Sequence, residues 1–214
     1  EAHQAVTPNL RGVRHITAFD GSPDVPRPRP FPERLFGDVK FREGFAVLEK
    51  LGLSFDAYIY HPQLHELADL ANAFPGVTII LNHVGGPLGV GPYAGKRDQI
   101  FEEWKDSMTA VAASPNVVVK VGGLVMPVCG FDWHERAMPT TSGSLAQATA
   151  RYYLHCIEQF GPNRCMFESN FPVDKIACSY TVLWNAFKRL AHDFSPSEQA
   201  ALFHDTATRV YRLS

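Results

Sequence analysis

The sequence lacks an excess of charge of either sign, and it lacks any long apolar run. Its 20 Lys and Arg residues and 22 Asp and Glu residues give a formal net charge of −2 over 214 residues. Nucleic acids and anionic membranes are bound through basic patches, and a bilayer-spanning helix needs about 20 consecutive apolar residues. We therefore expect neither a nucleic acid nor a membrane as partner.

Cysteine is scarce, and its spacing excludes the CxxC motifs of metal and redox sites. All four cysteines lie in the C-terminal half: Cys129, Cys156, Cys165 and Cys178. Because Cys156 and Cys165 fall within apolar helix-like and strand-like segments, the pattern favours buried free thiols over a disulfide framework. The first four residues match neither a signal peptide nor a transit peptide. These features predict a cytoplasmic location.

What the sequence does have is a regular alternation of apolar runs and amphipathic stretches. With 45% apolar residues it can bury a substantial core, and we expect one domain over residues 1–214. Runs rich in Val and Ile predict buried strands over residues 12–19, 54–60, 77–82, 117–121 and 164–168. Helical spacing of apolar residues predicts helices over residues 41–51, 63–73, 98–113, 145–160, 176–192 and 196–212.

The connections between these elements are unequal in length. Helix-to-strand joints are short, whereas most strand-to-helix joints are long, at residues 20–40, 85–97 and 122–144. This asymmetry is typical of an α/β barrel or a doubly wound sheet whose site lies on the strand-to-helix side. The first long joint contains a proline-rich stretch, residues 23–32, which predicts an extended loop. Only five strand–helix units can be counted, so the chain is either an open sheet or a barrel without its first strands.

Two strand ends carry polar side chains followed by turn-forming residues. They are LNHVGGP at residues 81–87 and FESNFPVD at residues 167–174. Because the carboxyl ends of parallel strands meet at one edge of a sheet, we take His83, Asn170 and Asp174 as candidate catalytic residues. The alternatives are structural: His83 and Asp174 could each cap the helix that follows.

Several motifs together resemble one known family. They are Gly12–His15, Tyr60–Leu64, Asn82–Pro87, Phe160–Arg164 with the Glu168–Pro172 strand end, and Ala207–Tyr211. This set is similar to the amidohydrolase-related (amidohydrolase 2) metal-dependent hydrolases, which include lactonases and aromatic-acid decarboxylases. The resemblance implies an α/β fold of the (β/α)8 TIM-barrel type. It also implies an N-terminally incomplete barrel, with about five to six βα units present.

The resemblance implies a hydrolase acting on a small carbonyl substrate, with a lactone or related cyclic ester favoured. Two alternatives remain: a metal-dependent decarboxylase of aromatic or unsaturated acids, and a non-catalytic barrel that has lost the catalytic aspartate. The family's aspartate corresponds to Asn170 here, and a carboxamide cannot accept a proton near neutral pH. Asp174, four residues on, is a candidate for the missing carboxylate.

Four further residues are candidates for binding the substrate. Arg14 and His15 are both candidate substrate-binding residues, and strand alternation sends one of them inward and the other outward. An inward Arg14 could clamp a substrate carboxylate or form a structural ion pair with Glu168. His61 could bind substrate, and Lys120 could bind substrate or merely pair with a carboxylate. In the decarboxylase branch the residue matching His61 is a metal ligand.

The resemblance also bears on metal content and on partners. The family's His-x-His pair is absent from this sequence, so His61 and His83 are the candidate metal ligands, and three protein ligands are the usual catalytic minimum. We expect a divalent metal such as zinc in a full-length parent, none held by this chain alone, and no activity from this chain alone. Homo-oligomer formation is an alternative way to cover open sheet edges.

Overall fold

The computed structural model describes residues 2–7, 9–27 and 33–213, and within them it forms one parallel β-sheet with helices. The strands are β1 Gly12–Ile16, β2 Ser54–Tyr58, β3 Ile79–Leu81, β4 Val117–Val121 and β5 Cys165–Phe167. The α-helices are α1 Ala2–Val6, α2 Val39–Lys50, α3 Leu64–Ala73, α4 Arg97–Ala112, α5 Ser142–Phe160, α6 Tyr180–Leu190, α7 Pro196–Ala200 and α8 Thr206–Tyr211. In the described part of the chain, no helix is long and apolar enough to cross a membrane.

All five predicted strands are present, and most are shorter than predicted because their ends turn into loops. The predicted helix over residues 176–192 begins only at Tyr180, where the Ser179 side chain caps the Val182 N–H. The final predicted helix is divided by a π-helical segment, Ala201–Asp205. Of the proline-rich stretch, residues 23–25 form a turn and a bend, residues 26 and 27 have no regular structure, and residues 28–32 lie outside the described residues.

The strands lie side by side in the order β1-β2-β3-β4-β5, and every neighbouring pair is parallel. A doubly wound sheet reverses its order at a switch point, whereas a barrel adds each strand beside the one before. The α/β prediction is therefore confirmed, and of its two architectures the strand order is that of a barrel. Among the described residues, no strand pairs with the outer edge of β1 or of β5.

The two faces of the sheet differ in chemistry. Register places Arg14 beside Asp56, and Asp56 in turn beside Ile80, so these side chains share one face, which we call the inner face. Lys120 of β4 shares it too, because Val118, two residues earlier, pairs with Ile80. The outer face is apolar and packs against the helices. Phe55 of β2, for example, lies edge-on to Phe45 of α2 at 5.0 Å between ring centroids.

Arg164 ties two helix ends to the sheet just before β5 begins. Its guanidinium donates to the carbonyl oxygens of Phe160 and Ala112, each at 3.0 Å, which belong to the last residues of α5 and α4. It also donates to Ser114 at 3.0 Å and to Val117 at 3.4 Å. The last carbonyl groups of a helix have no hydrogen-bond partner within the helix. The Arg164 guanidinium supplies such partners at the ends of both α4 and α5.

We predict that Arg164→Met will lower the free energy of unfolding by about 2 to 4 kcal/mol, because four partly buried carbonyls lose a charged donor. Arg164→Lys should restore less than half of this loss, since an ammonium cannot reach all four oxygens. Urea unfolding measures both values. Lys188→Met, an exposed change of the same kind on α6, should cost less than about 0.5 kcal/mol. Equal effects at residues 164 and 188 would contradict the assignment.

Candidate active site

The loop after β3 holds its backbone in an unusual conformation at the sheet's carboxyl edge. Four consecutive residues have positive φ angles: His83 at 55°, Val84 at 46°, Gly85 at 72° and Gly86 at 54°. For histidine this conformation is uncommon, and for a β-branched valine it is strained. Strain of this kind persists only where surrounding contacts hold it, and it concentrates at functional sites.

Two buried side chains hold this loop. Trp104 of α4 is fully buried and donates its indole N–H to the Val84 carbonyl oxygen at 2.7 Å. His61, which follows β2, donates its backbone N–H to the Gly86 carbonyl oxygen and accepts the Leu88 N–H on Nδ1 at 3.2 Å. Burial lowers the pKa of His61 to about 4, so its ring is neutral and its Nδ1 lone pair is available for that bond.

The held loop presents His83 to Glu168, which directly follows β5. Nδ1 of His83 lies 2.5 Å from Oε1 of Glu168, and the same oxygen accepts the His83 backbone N–H at 3.1 Å. The space for this contact depends on two glycines after β4. A Cβ on Gly123 would lie 2.6 Å from His83 Nδ1, and one on Gly122 would lie 2.3 Å from the Glu168 carbonyl oxygen.

The Glu168 carboxylate fixes the tautomer of His83. Burial alone would raise the pKa of Glu168, but the His83 charge, its hydrogen bonds and the Lys120 ammonium together hold that pKa below its usual value. An ionised carboxylate can only accept hydrogen bonds, so Nδ1 of His83 carries the proton. In the neutral ring the lone pair is then on Nε2.

The Nε2 side of His83 faces Arg14 and Tyr58. Nη2 of Arg14 lies 3.4 Å from Nε2, and the Tyr58 ring stands edge-on to the imidazole at 4.9 Å between centroids. Burial raises the pKa of Tyr58, so its phenol stays protonated. Arg14 is exposed and cannot lose its proton. A basic nitrogen and a fixed positive charge are thus adjacent at the open end of the site.

A second ion pair supports Glu168 from the middle of the inner face. Nζ of Lys120 lies 2.9 Å from Oδ1 of Asp56 and 4.0 Å from Oε2 of Glu168. The same Asp56 oxygen accepts from the Asn82 amide at 3.0 Å and from the Tyr211 hydroxyl at 2.9 Å. For Lys120 the structure therefore favours the pairing interpretation over direct substrate binding.

Asn170 and Asp174 form a separate pair beside this cluster. The Asn170 amide donates to Oδ1 of Asp174 at 2.7 Å, while Oδ2 of Asp174 is buried with no hydrogen-bond partner among the described residues. Asp174 is fully buried. Burial raises its pKa to about 7, and the nearby Glu168 charge adds to that effect. Below that pH the carboxyl group carries its own proton.

The structure brings some of the predicted site residues together and separates others. His83 and Arg14 meet, and Asn170 and Asp174 meet, but His15 lies on the outer face, stacked on Phe41 at 6.3 Å between ring centroids. The alternative of an Arg14–Glu168 ion pair is wrong, because both residues are described and no such pair forms; Glu168 contacts His83 and Lys120 instead.

Two contributors were missed at the sequence level. Asp56 received no role, although a single acid within the apolar run SFDAY was a signal of an inward charge. Glu168 was weighed only as a partner for Arg14.

The residues described do not fit a catalytic metal by themselves. Nδ1 of His61 accepts from the Leu88 amide, and Nδ1 of His83 is bound to Glu168. Within residues 2–7, 9–27 and 33–213, no group of three or more His, Cys, Asp or Glu side chains is arranged to hold an ion. The metal-ligand prediction for His61 and His83 therefore lacks a third ligand in this part of the chain.

Asp174 makes stability depend on pH. Its pKa is about 7 in the folded chain against an ordinary value of 3.8, so between these pH values the folded chain binds the extra proton. Its contribution is complete below about pH 4 and is lost as pH rises through about 7. From about pH 5 to pH 8, we predict that the wild type will lose about 2 to 3 kcal/mol of unfolding free energy relative to Asp174→Asn.

Urea unfolding at the two pH values measures this difference. The other titrating groups are the same in the wild type and in Asp174→Asn, so their contributions to the difference in unfolding free energy cancel. Asp193→Asn, an exposed change of the same chemistry, should track the wild type at both pH values. Parallel behaviour of wild type and Asp174→Asn would show that Asp174 is ionised in the folded chain throughout this range.

Comparison with known proteins agrees with the fold. The chain is 40% identical over 213 residues to a Sinorhizobium fredii protein named y4mH, covering 96% of this chain and 62% of that protein. It is 29% identical over 209 residues to an L-fucono-1,5-lactonase of Burkholderia multivorans, covering 95% and 63%. The chain thus spans less than two thirds of the length of both relatives.

Two solved structures share the fold. They are crystal structures of a Burkholderia multivorans amidohydrolase, one with bound HEPES at a TM-score of 0.78 and one with bound zinc at 0.77. Each is 28% identical to this chain and matches 96% of it, against 66% and 65% of the solved chain. The sequence model of the family described as Amidohydrolase matches residues 1–213. The chain belongs to the Amidohydrolase family.

Proposed function

We propose that the whole protein hydrolyses a sugar lactone, with His83 as the proton-transferring group. The observation that carries this proposal is the 2.5 Å contact between Glu168 and Nδ1 of His83, which leaves Nε2 as a base beside Arg14. An imidazole held in one tautomer by a carboxylate is a recurring arrangement in acyl-transfer sites. The relative named L-fucono-1,5-lactonase supports a 1,5-lactone as the substrate class.

In the proposed reaction, water attacks the lactone carbonyl carbon while Nε2 of His83 takes one of its protons. The carbonyl π electrons move onto oxygen, which becomes an oxyanion. When that oxyanion collapses, the ring C–O bond breaks, and Nε2 returns the proton to the departing alkoxide. The product is the open hydroxy acid, and His83 is neutral again at the end of the cycle.

Each neighbour of His83 has a defined task in this scheme. Glu168 stabilises the imidazolium that exists between the two proton transfers, and Lys120 helps keep Glu168 ionised. Arg14 supplies a permanent positive charge next to Nε2, where the oxyanion forms and where the product carboxylate appears. The Tyr58 ring packs against the imidazole edge and limits its rotation.

The resemblance implies Asp174, or a residue of the family's first strand, as the group that activates water, whereas the geometry of the described residues supports His83 for that role. Asp174 is fully buried and its Oδ1 accepts the Asn170 amide, whereas Nε2 of His83 lies beside the exposed Arg14 at the open end of the site. The Asp174 oxygen thereby orients the Asn170 amide. An amide has two N–H groups, so Asn170 retains one with which to hydrogen-bond the substrate carbonyl.

A further part of the proposal concerns the rest of the barrel. A TIM barrel has eight strands, and five are described here. We propose that strands contributed from outside this chain close the sheet between the edges of β5 and β1. Such strands would also place additional groups, including any further metal ligands, opposite His83.

We predict that His83→Gln will lower kcat/KM for L-fucono-1,5-lactone hydrolysis by about 10²- to 10⁴-fold, because the base is removed. Glu168→Gln should lower it comparably, because the amide neither fixes the tautomer nor stabilises the imidazolium. The assay uses the protein at the length its gene encodes and follows acid release at constant pH.

His65→Gln is the matched control, since His65 is exposed on α3 and should leave kcat/KM within about twofold. Unchanged kcat/KM in both site variants would overturn the role of the His83–Glu168 pair. Release of CO2 from unsaturated acids, without lactone hydrolysis, would favour the decarboxylase alternative. Neither reaction in the wild type would favour the non-catalytic barrel.

The Asn170→Asp variant tests whether the Asn170 amide takes part in the reaction or has replaced a catalytic aspartate. It sets a second carboxylate 2.7 Å from Asp174, where two negative charges cannot both persist. We predict at least about a tenfold fall in kcat/KM, since a donor to the carbonyl becomes an acceptor. Asn185→Asp, the same change at an exposed position, should have no effect. A large gain from Asn170→Asp would instead show that a catalytic aspartate has been lost.

A further inference from the structure

His61 is a buried histidine next to the candidate active site, and the proposed reaction gives it no task. It begins a short 3₁₀ turn, His61–Gln63, which follows β2. The resemblance to the amidohydrolase-related family implies substrate or metal binding at this position. The ring and the backbone of His61 instead contact the loop that follows β3.

The position of His61 is fixed by hydrogen bonds within its turn and by a ring contact. The Gln63 N–H donates to the Tyr60 carbonyl oxygen at 2.9 Å, and the Tyr60 N–H donates to Oε1 of Gln63 at 3.2 Å. Nε2 of Gln63 also donates to the Thr17 carbonyl oxygen at 3.0 Å, which joins the turn to the segment after β1. The Tyr93 ring stands edge-on to the imidazole at 5.2 Å between centroids. The buried ring is therefore held in one orientation.

From this fixed position His61 binds the end of the strained loop at two points. Its backbone N–H donates to the Gly86 carbonyl oxygen at 3.1 Å, and its Nδ1 accepts the Leu88 N–H at 3.2 Å. The two segments lie close together, because a Cβ on Gly86 would be 2.5 Å from the Ile59 carbonyl oxygen. The same loop begins at His83. His61 therefore fixes the end of a short loop whose start carries the proposed base.

The hydrogen bond from Leu88 also decides which ring nitrogen of His61 carries the proton. Burial lowers the pKa of His61 to about 4, so near neutral pH the ring has one N–H and one lone pair. The lone pair on Nδ1 accepts the Leu88 N–H, so the proton is on Nε2. A metal ion needs a lone pair from the ring, and a ligating histidine normally donates its other ring N–H to a carboxylate, a carbonyl or water. His61 has the opposite arrangement, since an N–H donor already occupies its lone pair.

We propose that His61 is a positioning residue for His83 in the whole protein, and that it is not a metal ligand there. Its Nδ1 lone pair holds the Leu88 N–H, and this keeps the loop in the shape that presents His83 to Glu168. Because His83 is the base only in the proposed reaction, the effect on catalysis rests on the proposed function. The position of the loop and the protonation of both imidazole rings do not depend on it.

Two substitutions distinguish the two ring nitrogens of His61. The side-chain oxygen of His61→Asn lies nearly where Nδ1 lies, so it can accept the Leu88 N–H, whereas the longer side chain of His61→Gln places its amide near Nε2. We expect the Leu88 amide to exchange with deuterium at least about tenfold faster in His61→Gln than in the wild type, and within about threefold of the wild-type rate in His61→Asn. NMR of the protein at the length its gene encodes measures this exchange without any substrate.

The same NMR samples report the protonation of the histidine rings through their ring nitrogen signals. In the wild type, His61 should carry its proton on Nε2, and His83 should carry its proton on Nδ1. The His83 signals should stay unchanged in His61→Asn and should move toward a mixture of both tautomers in His61→Gln. A wild-type His61 with its proton on Nδ1 would overturn the proposal even if no variant folds.

Lactone hydrolysis gives a second readout. His61→Gln should lower kcat by about tenfold or more and change KM by less than about twofold, because the base is displaced while the groups that bind the substrate remain. His61→Asn should recover at least about a third of the wild-type kcat. His65→Gln, the same substitution at an exposed position of α3, should leave kcat and Leu88 exchange unchanged. Equal loss of activity in His61→Asn and His61→Gln would contradict the role of Nδ1.

Zinc titration of the metal-free protein tests whether His61 is a metal ligand. His61→Asn should bind zinc within about twofold of the wild-type affinity, or neither protein should bind it, whereas loss of a ligand would weaken binding by at least about tenfold. The proposal is overturned by such a loss of zinc affinity, or by equal Leu88 exchange in the wild type and both variants. If the wild type hydrolyses no lactone, the proposed function fails, and Leu88 exchange together with the ring tautomers still decides the role of His61.

Discussion

The site depends on one contact, the hydrogen bond between Nδ1 of His83 and the carboxylate of Glu168. These side chains come from strand ends 85 residues apart in sequence, and a parallel sheet brings such ends to one edge. The contact fixes the imidazole tautomer and keeps the carboxylate ionised. It also gives the strained loop after β3 an anchor, because the His83 backbone N–H donates to the same oxygen. Without Glu168, both the position of the ring and its protonation would be undetermined.

Around this contact, charges of opposite sign alternate across the inner face. Asp56 pairs with Lys120, and Lys120 approaches Glu168, which binds His83, which in turn faces Arg14. Each charge is next to at least one group that stabilises it, so partly buried ionised side chains are tolerated on one face of an otherwise apolar sheet. Removing one of these side chains therefore also destabilises its neighbours, because each neighbour would be left with one stabilising group fewer. Asp174 is outside this chain of charges, and it meets the cost of burial by keeping its proton.

Much of the fold could be predicted from the sequence, because short apolar runs, amphipathic stretches and short helix-to-strand joints are local signals. The strands and the parallel α/β class followed from them. The contact between His83 and Glu168, on which the proposed base depends, could not be derived in the same way. Whether Glu168 meets Arg14 or His83 depends on the backbone angles at His83 and on the room left by Gly122 and Gly123. Similarly, the buried environment that raises the pKa of Asp174 is assembled from several elements and has no local pattern.

The contact between Glu168 and His83 changes how Asn170 is interpreted, a position where the resemblance implies an aspartate. Glu168 precedes Asn170 by two residues, a spacing that puts side chains of an extended chain on the same side. The chain therefore still brings a carboxylate to the carboxyl end of β5, at residue 168 and not at residue 170, where the resemblance implies it. At residue 168 that carboxylate reaches histidine, whereas at residue 170 an amide reaches a protonated acid. A negative charge at both positions would place Asp174 next to two carboxylates and push its pKa higher still. Glu168 and Asn170 are therefore compatible with the proposed reaction: the ionised carboxylate orients His83, the proposed base, and the neutral amide keeps an N–H for the substrate carbonyl.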